Sequence, residues 1–182
     1  PDGQTINFSN NGVGSLSAVS ATTDANGAFS VTLTSTQAGD SEVDASWAGS
    51  IAGQYTTVSA TTSTSDAQDA NKNWVDAKLV LSPSGQDNQV GQNHVITGTL
   101  SFDYGDGKGW TYAPDGQTIN FSNNGVGSLS ALSATTDANG AFSVTLTSTQ
   151  TGDSEVDASW AGSIAGQYTT VSATTSTSDT QD

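Results

Sequence analysis

Apolar residues along this chain recur at every second position. Phe142, Val144 and Leu146 alternate with Ser143, Thr145 and Thr147; Ala77, Leu79 and Leu81 share one parity, as do Ile96, Leu100 and Phe102. A period of two puts such residues on one face of a strand, and no window sustains the 3.6-residue period of an amphipathic helix. Seven short strands are predicted, around 77–81, 96–102, 119–121, 126–131, 142–146, 156–160 and 169–173. Turn chemistry separates them: Ser82-Pro83-Ser84-Gly85, Asn123-Asn124-Gly125, Thr151-Gly152-Asp153, and above all Asp137-Ala138-Asn139-Gly140, whose Asn-Gly pair adopts positive φ cheaply. A last hairpin is placed at 162–166. By parity the core holds Phe102, Phe121, Phe142 and Trp160. Seven strands in about 110 residues, one face apolar and the other polar, predict an all-β fold: an immunoglobulin-like antiparallel β-sandwich.

The pattern occurs twice. Residues 114–182 repeat residues 1–69 at an offset of 113, with only Val19/Leu132, Ala38/Thr151 and Ala67/Thr180 differing. That period is too long for a solenoid unit and matches an independently folding domain. The expected organisation is therefore a tandem array. Residues 1–69 are the C-terminal part of one Ig-like module, its first two strands absent and expected from preceding chain or, as the alternative, from another molecule, and 70–182 are a complete module. The polar stretch 65–73 is the expected linker, short and without the Pro and Gly of a loose tether.

Several segments resemble the bacterial Ig-like domains of the invasin and intimin group, the group 1 type of large surface adhesins. They are Asp115-Gly116-Gln117-Thr118-Ile119-Asn120-Phe121, Gly127-Ser128-Leu129-Ser130, and the run from Thr135-Thr136-Asp137-Ala138-Asn139-Gly140 through Phe142-Ser143-Val144-Thr145-Leu146 to Gly152. Ser82-Pro83-Ser84, Val90-Gly91 and His94 resemble the start of such a module. The resemblance covers nearly all of 77–175 and implies a stalk or adhesin setting at the cell surface, with no catalytic residues. The sequence departs from that pattern at 104–113, a longer insert rich in Gly, Trp and Tyr.

Composition narrows the partners. Three Lys, no Arg and 18 acidic residues give a formal charge of −15. Such a surface has nothing with which to displace counterions from phosphates, so nucleic acid and anionic membrane surfaces are poor partners. No apolar run approaches the roughly 20 residues of a membrane span. Absence of Cys and Met removes disulfides, thiolate chemistry and the residues that oxidise most readily, which suits an extracellular location.

Candidate chemistry is sparse. His94, the single histidine, reads as a solvated strand end. Glu155 and Asp157 read as a solvated strand face, because nothing around them suggests the sugar-sized cleft that a glycosidase pair requires. Lys78 and Glu155 alternate away from the core, which argues against an internal isopeptide. No enzyme is expected. For a metal, Asp66, Asp69 and Asn71 in the linker, with Asp103 and Asp106, offer hard oxygen ligands suited to Ca²⁺, although neither group has the order of a dedicated calcium loop. No other cofactor is expected. Asn7 and Asn120 stand in Asn-x-Ser sequons with outward parity. Trp110 and Tyr112, set among glycines, are the interaction candidates: they would bind glycan or a receptor, contact neighbouring copies, or fold back over the end of the sandwich. The outward Thr rows read as ordinary sheet surface. A structural or adhesive stalk or filament is the first functional expectation. A carbohydrate- or receptor-binding module using the 104–113 loop is the second.

Overall fold

In the computed structural model, residues 2–51, 58–62, 69–164 and 170–175 are described. The described residues are all strand, turn and loop, arranged in two compact units, one of Pro1–Trp74 with Gly105–Gly107 and the other of Val75–Tyr104 with Lys108–Asp182. The division falls after Trp74, beyond the start at 70 that the sequence suggests. Residues 70–74 are the cause, since they form a strand of the first unit. Part of the expected linker is thus a sheet element, and 65–68 lie outside the described residues.

The second unit carries the full sandwich. Its strands are β8 (Asp76–Ser82), β9 (Asn93–Asp103), β10 (Trp110–Tyr112), β11 (Thr118–Gly125), β12 (Ser128–Leu129), β13 (Ser133–Thr135), β14 (Ala141–Thr147), β15 (Ser154–Gly162) and β16 (Val171–Thr174). One antiparallel sheet runs β13-β11-β15-β16; the other runs β10-β9-β14-β12, with β8 also paired to β9. The two inner faces meet through tilted aromatic pairs, Phe102 with Trp160 at 4.8 Å and Phe121 with Phe142 at 5.8 Å between centroids. All four aromatic residues expected in the core are there, joined by Leu79, Ile96, Leu100, Ile119, Val144 and Ala158. Such pairs contribute roughly 0.5–1.5 kcal/mol beyond their buried area.

Three core members have no signal in the alternation. Ile164 sits in what reads as a turn, Ala113 in the insert, and Thr136 beside the Asn-Gly turn; all are buried. Thr136 is satisfied locally, its Oγ1 accepting from the Gln117 amide and donating to the Pro114 carbonyl. The Trp160 indole donates to Gln117 Oε1 at 3.2 Å, so the core Trp keeps its one polar atom paired. Of the strand expected over 126–131 only β12 forms, while β10 and β13 are additional. The strand expected over 169–173 appears as β16, with Thr169 outside the described residues.

The first unit comprises β1 (Thr5–Gly12), β2 (Ser15–Leu16), β3 (Ser20–Thr22), β4 (Leu33–Thr34), β5 (Gly39–Gly49), β6 (Val58–Thr61) and β7 (Ala70–Trp74). Its main sheet, β3-β1-β5-β6, reproduces β13-β11-β15-β16 register for register: Asn7 faces Ser46 as Asn120 faces Ser159. Among the described residues, the rest of this unit's sheet structure is the β2-β4 ribbon. The counterpart of β14 shrinks to two residues, because no strand equivalent to β9 pairs with it among the described residues. Phe29 is consequently 46% exposed where Phe142 is 6%.

Candidate functional site

The face built by β8, β9 and β10 is where the candidate interaction residues lie. β10 pairs with β9 in the register Trp110 to Asp103, Thr111 to Phe102 and Tyr112 to Ser101; on the other edge of β9, β8 places Lys78 opposite Ser101 and Asp76 opposite Asp103. The insert at 104–113 is therefore a short loop followed by a strand. Strand pairing also decides the fate of its aromatics. Trp110 and Tyr112 share one parity of β10, and Thr111 opposes buried Phe102, so both rings stand on the outer face. They are 43% and 64% exposed and do not fold back over the end of the sandwich. Lys78 Nζ reaches diagonally across β9 to lie 4.6 Å from the Trp110 ring centroid, a cation–π contact that occupies one face of the indole. Beneath these three side chains Ser101 is buried, and Val80 extends the exposed apolar surface. The arrangement offers two exposed aromatic rings with one ammonium over the indole.

The acidic candidates separate. Asp69 comes within reach of Glu42 and Asp44, one carboxylate oxygen of each lying within 4.8 Å of the others. Asp103 and Asp106 are not in that group; Asp103 ends β9 and Asp106 is exposed in the loop. Asp66 lies outside the described residues. Asn71 pairs with Glu42 across β5 and β7. Glu42 and Asp44 escaped sequence reading because they are brought to Asp69 by the β5-β7 pairing. Their signal is the Glu-x-Asp spacing, which puts two carboxylates on one strand face. Buried Oδ1 atoms of Asp44 and Asp69 have no hydrogen-bond partner among the described residues. Three carboxylates form a ligand set for a hard cation such as Ca²⁺.

The remaining candidates stand apart. His94 faces Leu146 near the start of β9; Glu155 and Lys78 are exposed, as their parity requires, on different sheets. Asn7 and Asn120 are exposed in mid-strand. The Asp137 carboxyl is held below its ordinary value, first by the backbone amide of Ala141 and then by that of Asn139; it raises no catalytic group, since Asp137 is a turn residue open to solvent.

Comparison with known proteins gives this geometry a context. Residues 2–61 match the bacterial Ig-like domain (group 1). Residues 115–174 repeat that stretch with two substitutions, Val19/Leu132 and Ala38/Thr151. By sequence, both copies are therefore similar to the bacterial Ig-like domain (group 1). Ig-like modules of this group are generally non-catalytic structural units, typical of bacterial surface adhesins and usually surface-exposed. Among solved structures, the D0-D1 domain of intimin aligns with 95% of this chain and 80% of its own at 26% identity, with a TM-score of 0.31. No curated protein matches the chain. The Ig-like assignment thus rests on the repeated sequence and the strands themselves.

Proposed function

We propose that the chain is a section of an extracellular bacterial stalk or filament, in which tandem Ig-like modules act as spacers at the cell surface. The observation that carries this reading is the repeat: 66 of 69 positions recur, and the sheet they build recurs in the same register. Selection for a binding site favours one specialised copy, whereas selection for length favours copies that differ little. The acidic, cysteine-free surface suits such a setting. Small-angle scattering on proteins with two, four and six periods tests it. A stalk gives a maximum dimension that grows in proportion to the number of periods. Growth with about the square root of that number, the behaviour of flexibly jointed beads, would sink the reading.

The outer face of β8-β9-β10 supports a second reading, a glycan- or receptor-binding module. Exposed Trp110 and Tyr112 supply the stacking surface, but Lys78 already lies over one face of Trp110. A glycan-array signal lost in both Trp110→Ala and Tyr112→Ala would favour binding. Concentration-dependent self-association lost in the same variants would favour a filament contact between copies.

A further inference from the structure

The two copies differ at one edge although the residues of that edge are identical. Residues 39–43 and 152–156 are both Gly-Asp-Ser-Glu-Val. In the first copy this edge carries a fifth strand: β7 pairs antiparallel with β5 from Gly39 opposite Trp74 to Val43 opposite Ala70. In the second copy no strand among the described residues pairs with 152–156 on that side, β16 meeting β15 only from Ser159 to Gly162. The consequences can be read position by position. β5 begins at Gly39, while β15 begins at Ser154, the counterpart of Ser41, so two residues of strand are lost. Ser41 is 2% exposed, whereas Ser154 is half-buried; Glu42 is half-buried, whereas Glu155 is exposed.

The open edge is already shaped for a strand. Gly152 holds φ +145° where Gly39 holds +148°, and each glycine lies against the Val of the preceding turn, Val126 or Val13, where a Cβ would not fit. Ser154 Oγ donates to the Val126 carbonyl as Ser41 Oγ donates to that of Val13. In the first copy Ser41 Oγ also accepts the Trp74 indole N–H at 3.0 Å, and Lys72 Nζ lies 5.5 Å from the Trp74 ring. A strand docking on the second edge would find its backbone ladder and its hydroxyl acceptor in place, and pre-organisation of that kind lowers the ordering cost of docking.

We propose that 152–156 is a docking edge for a strand of sequence Ala-Asn-Lys-Asn-Trp, supplied by the period that would follow Asp182 as Ala70 follows Asp69. The inference rests on the tandem reading and sharpens it: the first five residues of one period complete the sheet of the period before. Unpaired edges invite foreign strands, and this arrangement closes each edge with a segment the repeat itself provides.

Hydrogen exchange tests it on three proteins: residues 1–182, the same chain extended by Ala-Asn-Lys-Asn-Trp, and one extended by a scramble of those five residues. The expected result is exchange slowed at least about tenfold at edge amides of 152–156 in the native extension only. Ser154→Ala in the extended chain should give back part of that protection while leaving exchange in β11 and β14 unchanged. Equal exchange in all three proteins, or equal protection by native and scrambled extensions, would overturn the proposal. Either result is independent of the scattering experiment, because an array can be long without this clasp, and the clasp can form in an array that bends.

Discussion

Gly27 and Gly140 occupy the same place in two nearly identical turns, yet a methyl group would meet different surroundings at each. Both hold positive φ, +81° and +67°. At Gly27 nothing lies within 4 Å of an added Cβ; at Gly140 the Leu100 carbonyl oxygen would be 2.4 Å away and the Ala113 amide 3.1 Å. Gly27→Ala should cost only the left-handed backbone term, about 1 kcal/mol. Gly140→Ala should cost more than about 3 kcal/mol, because the clash is with backbone that cannot rotate away. Chemical denaturation of the two variants measures both, and equal losses would refute the argument. Asp137, in the same turn, accepts from the amides of Asn139 and Ala141 and is held below its ordinary value. Its folded-state pKa is depressed, so its contribution is present above the unfolded carboxylate range and is lost as pH falls through the folded value. The Asp-Ala-Asn-Gly turn was legible from residue types alone. The crowding of one of its glycines was not, since it depends on β9 and the end of the 104–113 insert.

At the scale of elements, strand identity followed from alternation wherever both faces had a clear character. β8, β9, β11, β14 and β15 were all legible in this way. β10 was hidden by the glycines before it, and β7, with the sequence Ala-Asn-Lys-Asn-Trp, has no apolar parity to read. Edge pairing created both, by supplying backbone partners that side-chain patterning does not report. The same dependence makes the two copies of one strand unequal. Phe142 packs against Phe121 in a closed sandwich, while Phe29 keeps the corresponding contact with Phe8, at 5.7 Å, on an open face. Phe142→Ala should destabilise the second unit by about 3–5 kcal/mol, and Phe29→Ala the first by about 1 kcal/mol. Urea midpoints followed by a probe in each unit would show the asymmetry, and equal shifts would contradict it.

For the whole molecule, core size separates the two units. Thirteen buried apolar residues form the core of the second, whereas Ile6 and Phe8 are the buried apolar residues described in the first. Calorimetry of the chain should resolve two transitions, the first unit melting at the lower temperature. A single cooperative transition would show that the units do not unfold separately. The sequence by itself determined the strand class, the period, the apolar faces and the exposure of Lys78 and Glu155, because alternation and turn chemistry are local and repeat with the residues that encode them. Only the tertiary structure decided which copies of identical residues are buried, that 70–74 is a strand and not a tether, that Trp110 and Tyr112 stand outward with Lys78 over the Trp110 ring, and that Asp69 meets Glu42 and Asp44. Those outcomes depend on which backbone edge lies alongside which. Two identical segments therefore share a shape but differ in burial when their neighbours differ.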